Sequence, residues 1–229
     1  MKNDITHIFF DLDHTLWDFD TNSALAFDKI FRKDHASINT NAFLEQYIPI
    51  NQACWKLYQV DKMSHDELRY QRLKQSFDAI KYDISDEQID QVAHEYIQLL
   101  PEFNHLFDDA LETLSYLKTR YELHIITNGF AQVQFKKMSN SNLSQYFKTV
   151  TNSEMAGAKK PNPIIFQHAL HLAQADKRES IMIGDNLDAD IQGAMNAGMD
   201  TVFVNHINAV TALKPTHTIT HLQQLETIF

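Results

Sequence analysis

The run Ile5-Thr6-His7-Ile8-Phe9-Phe10-Asp11-Leu12-Asp13-His14-Thr15 decides how this chain folds. A short, nearly continuous apolar stretch passes straight into two aspartates separated by one residue. Unbroken apolar runs of this length fit strands buried on both faces of a parallel sheet, whereas half-exposed strands alternate. Residues two apart at a strand end point to one side. Open α/β sheets carry their ligands outside the carboxyl ends of their strands, which is where Asp11 and Asp13 fall.

Working outward, the same pattern returns four times. Residues 123–126 run into Thr127-Asn128-Gly129. A weaker run at 148–150 is followed by Lys159-Lys160-Pro161. Residues 180–183 lead into Gly184-Asp185-Asn186-Leu187-Asp188-Ala189-Asp190, and 201–204 form a last apolar run. Helix-length segments lie between them, at 108–118, 132–138, 163–173 and 189–197. Strand alternating with helix predicts a doubly wound, Rossmann-like α/β sheet. All five glycines lie beyond residue 128, so the tight turns and close backbone approaches concentrate there.

Residues 17–100 carry no strand signal. Phe43, Tyr47, Ile50, Cys54 and Leu57 recur at helical spacing, with Pro49 a point where that helix kinks or breaks. Ile89, Val92, Ala93, Tyr96 and Ile97 repeat the pattern after Ser85 and Gln88, which have capping-box spacing. The expected organisation is an α/β core from residues 1–16 and 101–229, with an all-helical cap at 17–100 and Pro101 at the return.

Composition narrows the function classes. Of 229 residues, 44% are hydrophobic and 22% charged, which is ordinary for a globular protein. The formal net charge is -10; that sign disfavours a nucleic-acid polymer as partner and requires a local reversal of charge for any anionic substrate. The single Cys54 excludes an intrachain disulfide and a thiolate metal cluster and falls on the apolar stripe. No apolar run approaches the roughly 20 residues that cross a bilayer, and the apolar stretch after Met1-Lys2-Asn3-Asp4 is too short for a secretory signal. A cytoplasmic protein with no membrane partner is expected.

The set Asp11-Leu12-Asp13-His14-Thr15, Thr127-Asn128, Lys160 and Gly184-Asp185 with Asp190 resembles the four ordered motifs of the haloacid dehalogenase superfamily, and the likeness spans the whole chain. The wording Ile125-Ile126-Thr127-Asn128-Gly129-Phe130 and Lys160-Pro161-Asn162-Pro163-Ile164-Ile165-Phe166 further resembles the branch containing pyrimidine 5′-nucleotidases. The likeness implies a phosphatase with a small phosphate ester as its partner, a nucleoside 5′-monophosphate above others. It implies Asp11 as nucleophile and Asp13 as general acid and base, Thr127 and Asn128 at the phosphoryl oxygens, and Lys160 neutralising charge. Asp11, Asp13 (through its backbone carbonyl) and Asp185 are the implied metal ligands, with Asp190 behind them. Lys159 is a neighbouring alternative to Lys160.

Charge arithmetic supports a cation independently. Two carboxylates about 4 Å apart repel by roughly 4 kcal/mol at an effective dielectric near 20. All candidate ligands are oxygens, and Mg2+ favours a few carboxylates with phosphate and water; magnesium is the expected ion. His168 and His171 read as one face of a helix, and His14 either tunes access or spaces the two aspartates. Trp17, Phe19, Trp55 and Tyr58 are aromatics suited either to base stacking or to packing. Rival readings are a sugar-phosphate phosphatase or phosphomutase of the same fold, a carbon–halogen hydrolase, and a non-catalytic binding protein.

Overall fold

The computed structural model describes residues 5–229. Each expected apolar run is a strand: β1 (His7–Phe10), β2 (Glu122–Thr127), β3 (Thr149–Asn152), β4 (Ser180–Gly184) and β5 (Asp200–Val204). A sixth, β6 (His217–Ile219), joins them in one sheet of order β3-β2-β1-β4-β5-β6. Every neighbouring pair is parallel, which the buried, unbroken runs require. The order turns back between β1 and β4, so a crevice opens at the ends of those two strands.

The helices are α1 (Phe19–Asp34), α2 (Thr40–Gln59), α3 (His65–Ala79), α4 (Asp86–Leu99), α5 (Ala110–Leu117), α6 (Ala131–Asn140), α7 (Ser153–Ala156), α8 (Pro163–Ala173), α9 (Gly193–Ala197) and α10 (Leu225–Ile228). Ile165, Phe166 and Ala169 of α8 and Ala194 of α9 pack with Phe9, Ile126 and Met182 of the central strands in one buried cluster. The segment 189–197, expected as one helix, is instead a π-helical turn (Leu187–Gln192) followed by α9. The Asn186 side chain accepts from the amides of Asp188 and Ala189 and starts that wide turn.

Two compact units make up the fold: the chain up to Asp18 with His105–Phe229, and Phe19–Asn104. Trp17 and Asp18 belong with the sheet because Trp17 bridges Leu106 and the Asp18 amide donates to the His105 carbonyl.

The second unit is α1 to α4 around an aromatic core. Phe27 stacks on Tyr96 at 4.4 Å and meets Phe43 and Tyr47. Ser64 with Glu67 and Ser85 with Gln88 form capping boxes at the starts of α3 and α4. Pro49 neither ends nor interrupts α2, which runs from Thr40 to Gln59. The buried face of α2 also departs from expectation. It is Phe43, Tyr47, Asn51, Cys54 and Tyr58, while Leu57 is exposed. Asn51 is tolerated inside because Arg72 Nη1 and the Tyr47 hydroxyl donate to its Oδ1. No helix among the described residues is long and apolar enough to cross a membrane.

Candidate active site

Four chain segments meet at the carboxyl ends of β1, β2 and β4. Asp11 follows β1, and its amide donates to the Ile183 carbonyl of β4, so the sheet's own hydrogen bonding carries the chain to the site. Thr127 ends β2, Lys160 precedes α8, and Asp185 follows β4. Asp190 returns to the same place from the π-helical turn.

Lys160 is the hub. Its buried Nζ lies 2.6 Å from Asp11 Oδ1 and 2.7 Å from Asp190 Oδ1, and donates to the Ile126 carbonyl at 2.7 Å. Its backbone is clamped by Asn128: the Lys160 amide donates to Asn128 Oδ1 and Asn128 Nδ2 donates to the Lys160 carbonyl. Asn128 is therefore a positioning residue for the lysine. Its side chain holds that backbone through both of its polar atoms.

Oxygens of Asp11, Asp185 and Asp190 lie within 4.8 Å of one another. Asp190 meets this group from behind Lys160, with which it pairs, as expected of a partner of that lysine. Gly184 makes this approach possible, since a Cβ there would fall 2.3 Å from Asp190 Oδ2. The Asn186 amide donates to that same oxygen. Asp185 is tied to the first loop by Thr15, whose hydroxyl donates to Asp185 Oδ1 and accepts from the Asp185 amide.

Electrostatics show how much charge is crowded here. Burial raises the pKa of Asp11 well above the usual carboxylate range, Lys160 opposing and Asp190 and Asp185 adding. Burial and then Asp190 push Asp185 up to about 8. Burial works against the charge on Lys160, but Asp11 and Asp190 outweigh it and hold its pKa above the ordinary lysine value. Three carboxylates against one ammonium leave an excess of negative charge that a divalent cation would neutralise, and an all-oxygen donor set suits a hard ion.

The Asp13 carboxylate is held apart from that trio. Lys137 Nζ donates to its Oδ1 at 2.6 Å, and Gln134 Nε2 to its Oδ2 at 2.9 Å. Gln134 also donates to Thr127 Oγ1, which accepts from the Gly129 amide as well. A Cβ on Gly129 would lie 2.4 Å from Gln134 Cδ, so glycine leaves room for the bridge. Lys137 rests 4.2 Å above the Trp17 ring, and Trp17 Nε1 donates to Ser141 Oγ. Trp17 is fully buried, so its use is packing and cation–π contact; the base-stacking alternative fails for it. Gln134 and Lys137 escaped the sequence reading. Their only signal was a three-residue spacing on α6, which places both on one helix face. His14 adopts a left-handed φ of 61° between the two aspartates, consistent with a spacer that turns the loop.

A family model of haloacid dehalogenase-like hydrolases matches residues 5–198. The chain is 32% identical over 221 residues to the HAD-hydrolase YfnB of Bacillus subtilis, covering 95% of this chain and 92% of YfnB. It is 32% identical over 225 residues to the pyrimidine 5′-nucleotidase PynA of Streptococcus pneumoniae, with the same coverage of each. It is 29% identical over 222 residues to the pyrimidine 5′-nucleotidase YjjG of Escherichia coli, covering 96% and 95%. A crystal structure of YfnB bound to magnesium superposes with a TM-score of 0.89 at 31% identity, over 99% of both chains. The protein belongs to the haloacid dehalogenase-like hydrolase family, and it is a hydrolase with a Rossmann-like core.

Proposed function

We propose that this hydrolase is a magnesium-dependent phosphatase of small phosphate monoesters, with pyrimidine nucleoside 5′-monophosphates as its substrate class. The observation that carries the reading is the gathering of Asp11, Asp185 and Asp190 around Lys160 at the turning point of the sheet. The nucleotide specificity rests on the names of PynA and YjjG, which match this chain over nearly its whole length.

Asp11 and Asp185, with Asp190 beside them and the Asp13 backbone carbonyl, are the groups to hold the ion. Bound there, magnesium supplies positive charge to the carboxylates and to the phosphoryl oxygens. An Asp11 carboxylate oxygen attacks phosphorus, the bond to the ester oxygen breaks, and an aspartyl phosphate forms; dividing the displacement in two lowers each barrier. Asp13 gives its proton to the departing alkoxide and then takes one from the water that attacks the aspartyl phosphate, which releases inorganic phosphate and restores Asp11. Lys137 and Gln134, which donate to the two Asp13 oxygens, position that side chain for both steps. Thr127 Oγ1 and the amides after β2 face the phosphoryl oxygens, and Lys160 offsets charge developing on them and on Asp11.

Phosphate release from a panel of pyrimidine and purine nucleoside monophosphates and sugar phosphates tests this, with Mg2+ and with EDTA. The expected result is turnover highest for pyrimidine nucleotides and abolished by chelation. Turnover that persists in EDTA, or a preference for sugar phosphates, contradicts it.

A further inference from the structure

The amino-terminal ends of β1 and β2 hold a second cluster of ionisable side chains. His7 opens β1, Glu122 opens β2 directly beside it in register, and His124 lies two residues further along β2. Side chains two apart on a strand share a face, so the three project from one side of the sheet. His7 Nδ1 lies 3.1 Å from His124 Nε2 and 3.8 Å from Glu122 Oε2. One ligand atom from each of the three falls within 4.8 Å of the others.

Two of the three are oriented by residues at the start of β3. Thr149 Oγ1 lies 2.8 Å from His124 Nδ1, and Lys148 pairs with Glu122 Oε1. A metal-bound histidine ordinarily has such a partner on its far nitrogen, which fixes tautomer and ring plane. When His124 donates from Nδ1 to Thr149, the Nε2 lone pair faces His7. The Phe9 ring, stacked at 4.7 Å, holds the imidazole plane.

We propose that His7, Glu122 and His124 form a binding site for a divalent transition ion of the zinc type, at the end of the strands opposite the acidic trio. Two imidazoles and one carboxylate suit zinc over magnesium. A tetrahedral zinc with bonds of 2.0–2.1 Å sets its ligand atoms roughly 3.4 Å apart; the separations of 3.1 and 3.8 Å bracket that value. Glu122 Oε2 turns to the ion while Oε1 keeps Lys148, and His7 carries its proton on Nε2. Three protein ligands leave a fourth position for water. The ion ties β1 to β2 and so stabilises the folded chain.

The test uses the untagged full chain saturated with Mg2+, so that the acidic trio is blocked. Zinc is titrated against a chromophoric chelator, and thermal melting is followed in parallel. His124 is buried against Phe9, so the variants are His7→Ala and Glu122→Gln, with Asp185→Asn as a control. Expected is one tightly held zinc and a zinc-dependent rise in Tm for the wild type and for Asp185→Asn. Affinity should fall roughly tenfold or more in the two other variants. Glu122→Gln keeps the test decisive if His7→Ala fails to fold. Wild-type zinc affinity in both variants, or zinc lost only with Asp185→Asn, overturns the site.

Discussion

At the level of single residues, a few groups share a great deal of charge. Asp11 is buried and touches Lys160, so an amide at residue 11 removes the attacking oxygen while leaving the packing intact. Asp11→Asn is expected to keep the wild-type fold and lose turnover by about three orders of magnitude or more, read by circular dichroism and phosphate release. Lys137→Met removes the cation that sits between Trp17 and Asp13. Misplacing an acid–base group costs rate more than binding, so kcat should fall by about tenfold to a hundredfold with KM little changed. The aspartates were legible because they end apolar strands. Lys137 and Gln134 were not, because a lysine and a glutamine three apart on a helix look like a solvated face; both are buried, and their partners Asp13 and Trp17 lie more than a hundred residues away in the sequence.

At the scale of elements, the five apolar strands could be read directly, since burial on both faces leaves a run with no alternation. β6 could not: His217-Thr218-Ile219 has no such run, and only its pairing with Val202–Val204 makes it a strand. The α2 stripe misled because Asn51 is buried through Arg72 and Tyr47, contacts from which local spacing gives no warning. The π-helical turn was equally hidden, as it depends on Asn186 capping and on Asp190 folding back toward β4. That return makes a prediction at Gly184. Gly184→Ala forces a methyl into the Asp190 carboxylate, and equilibrium urea unfolding should show a loss of about 1–3 kcal/mol, the usual cost of overpacking. Unchanged stability would mean that Asp190 moves aside freely, and the acidic group is then less tightly built than described.

For the whole molecule, excess negative charge makes the metal-free protein sensitive to pH. Asp185 holds its proton up to about pH 8 in the folded state, against 3.8 ordinarily. Between those values the folded chain binds more protons than the unfolded one, so this contribution to stability is full at low pH and lost as pH rises through about 8. In EDTA, the calorimetric Tm should therefore decline from about pH 5 to pH 8, allowing for other groups, and Mg2+ should raise Tm more at the higher pH, where the carboxylates are free to take it. An equal Mg2+ effect at both would argue that the ion binds elsewhere. The most direct measurement of the central claim is acid quenching during turnover of a radiolabelled phosphate ester, followed by peptide mapping. Label is expected on the peptide that contains Asp11, discharged by hydroxylamine and absent in Asp11→Asn; hydrolysis that proceeds with no label on the chain, or with label on another residue, contradicts an aspartyl-phosphate at Asp11.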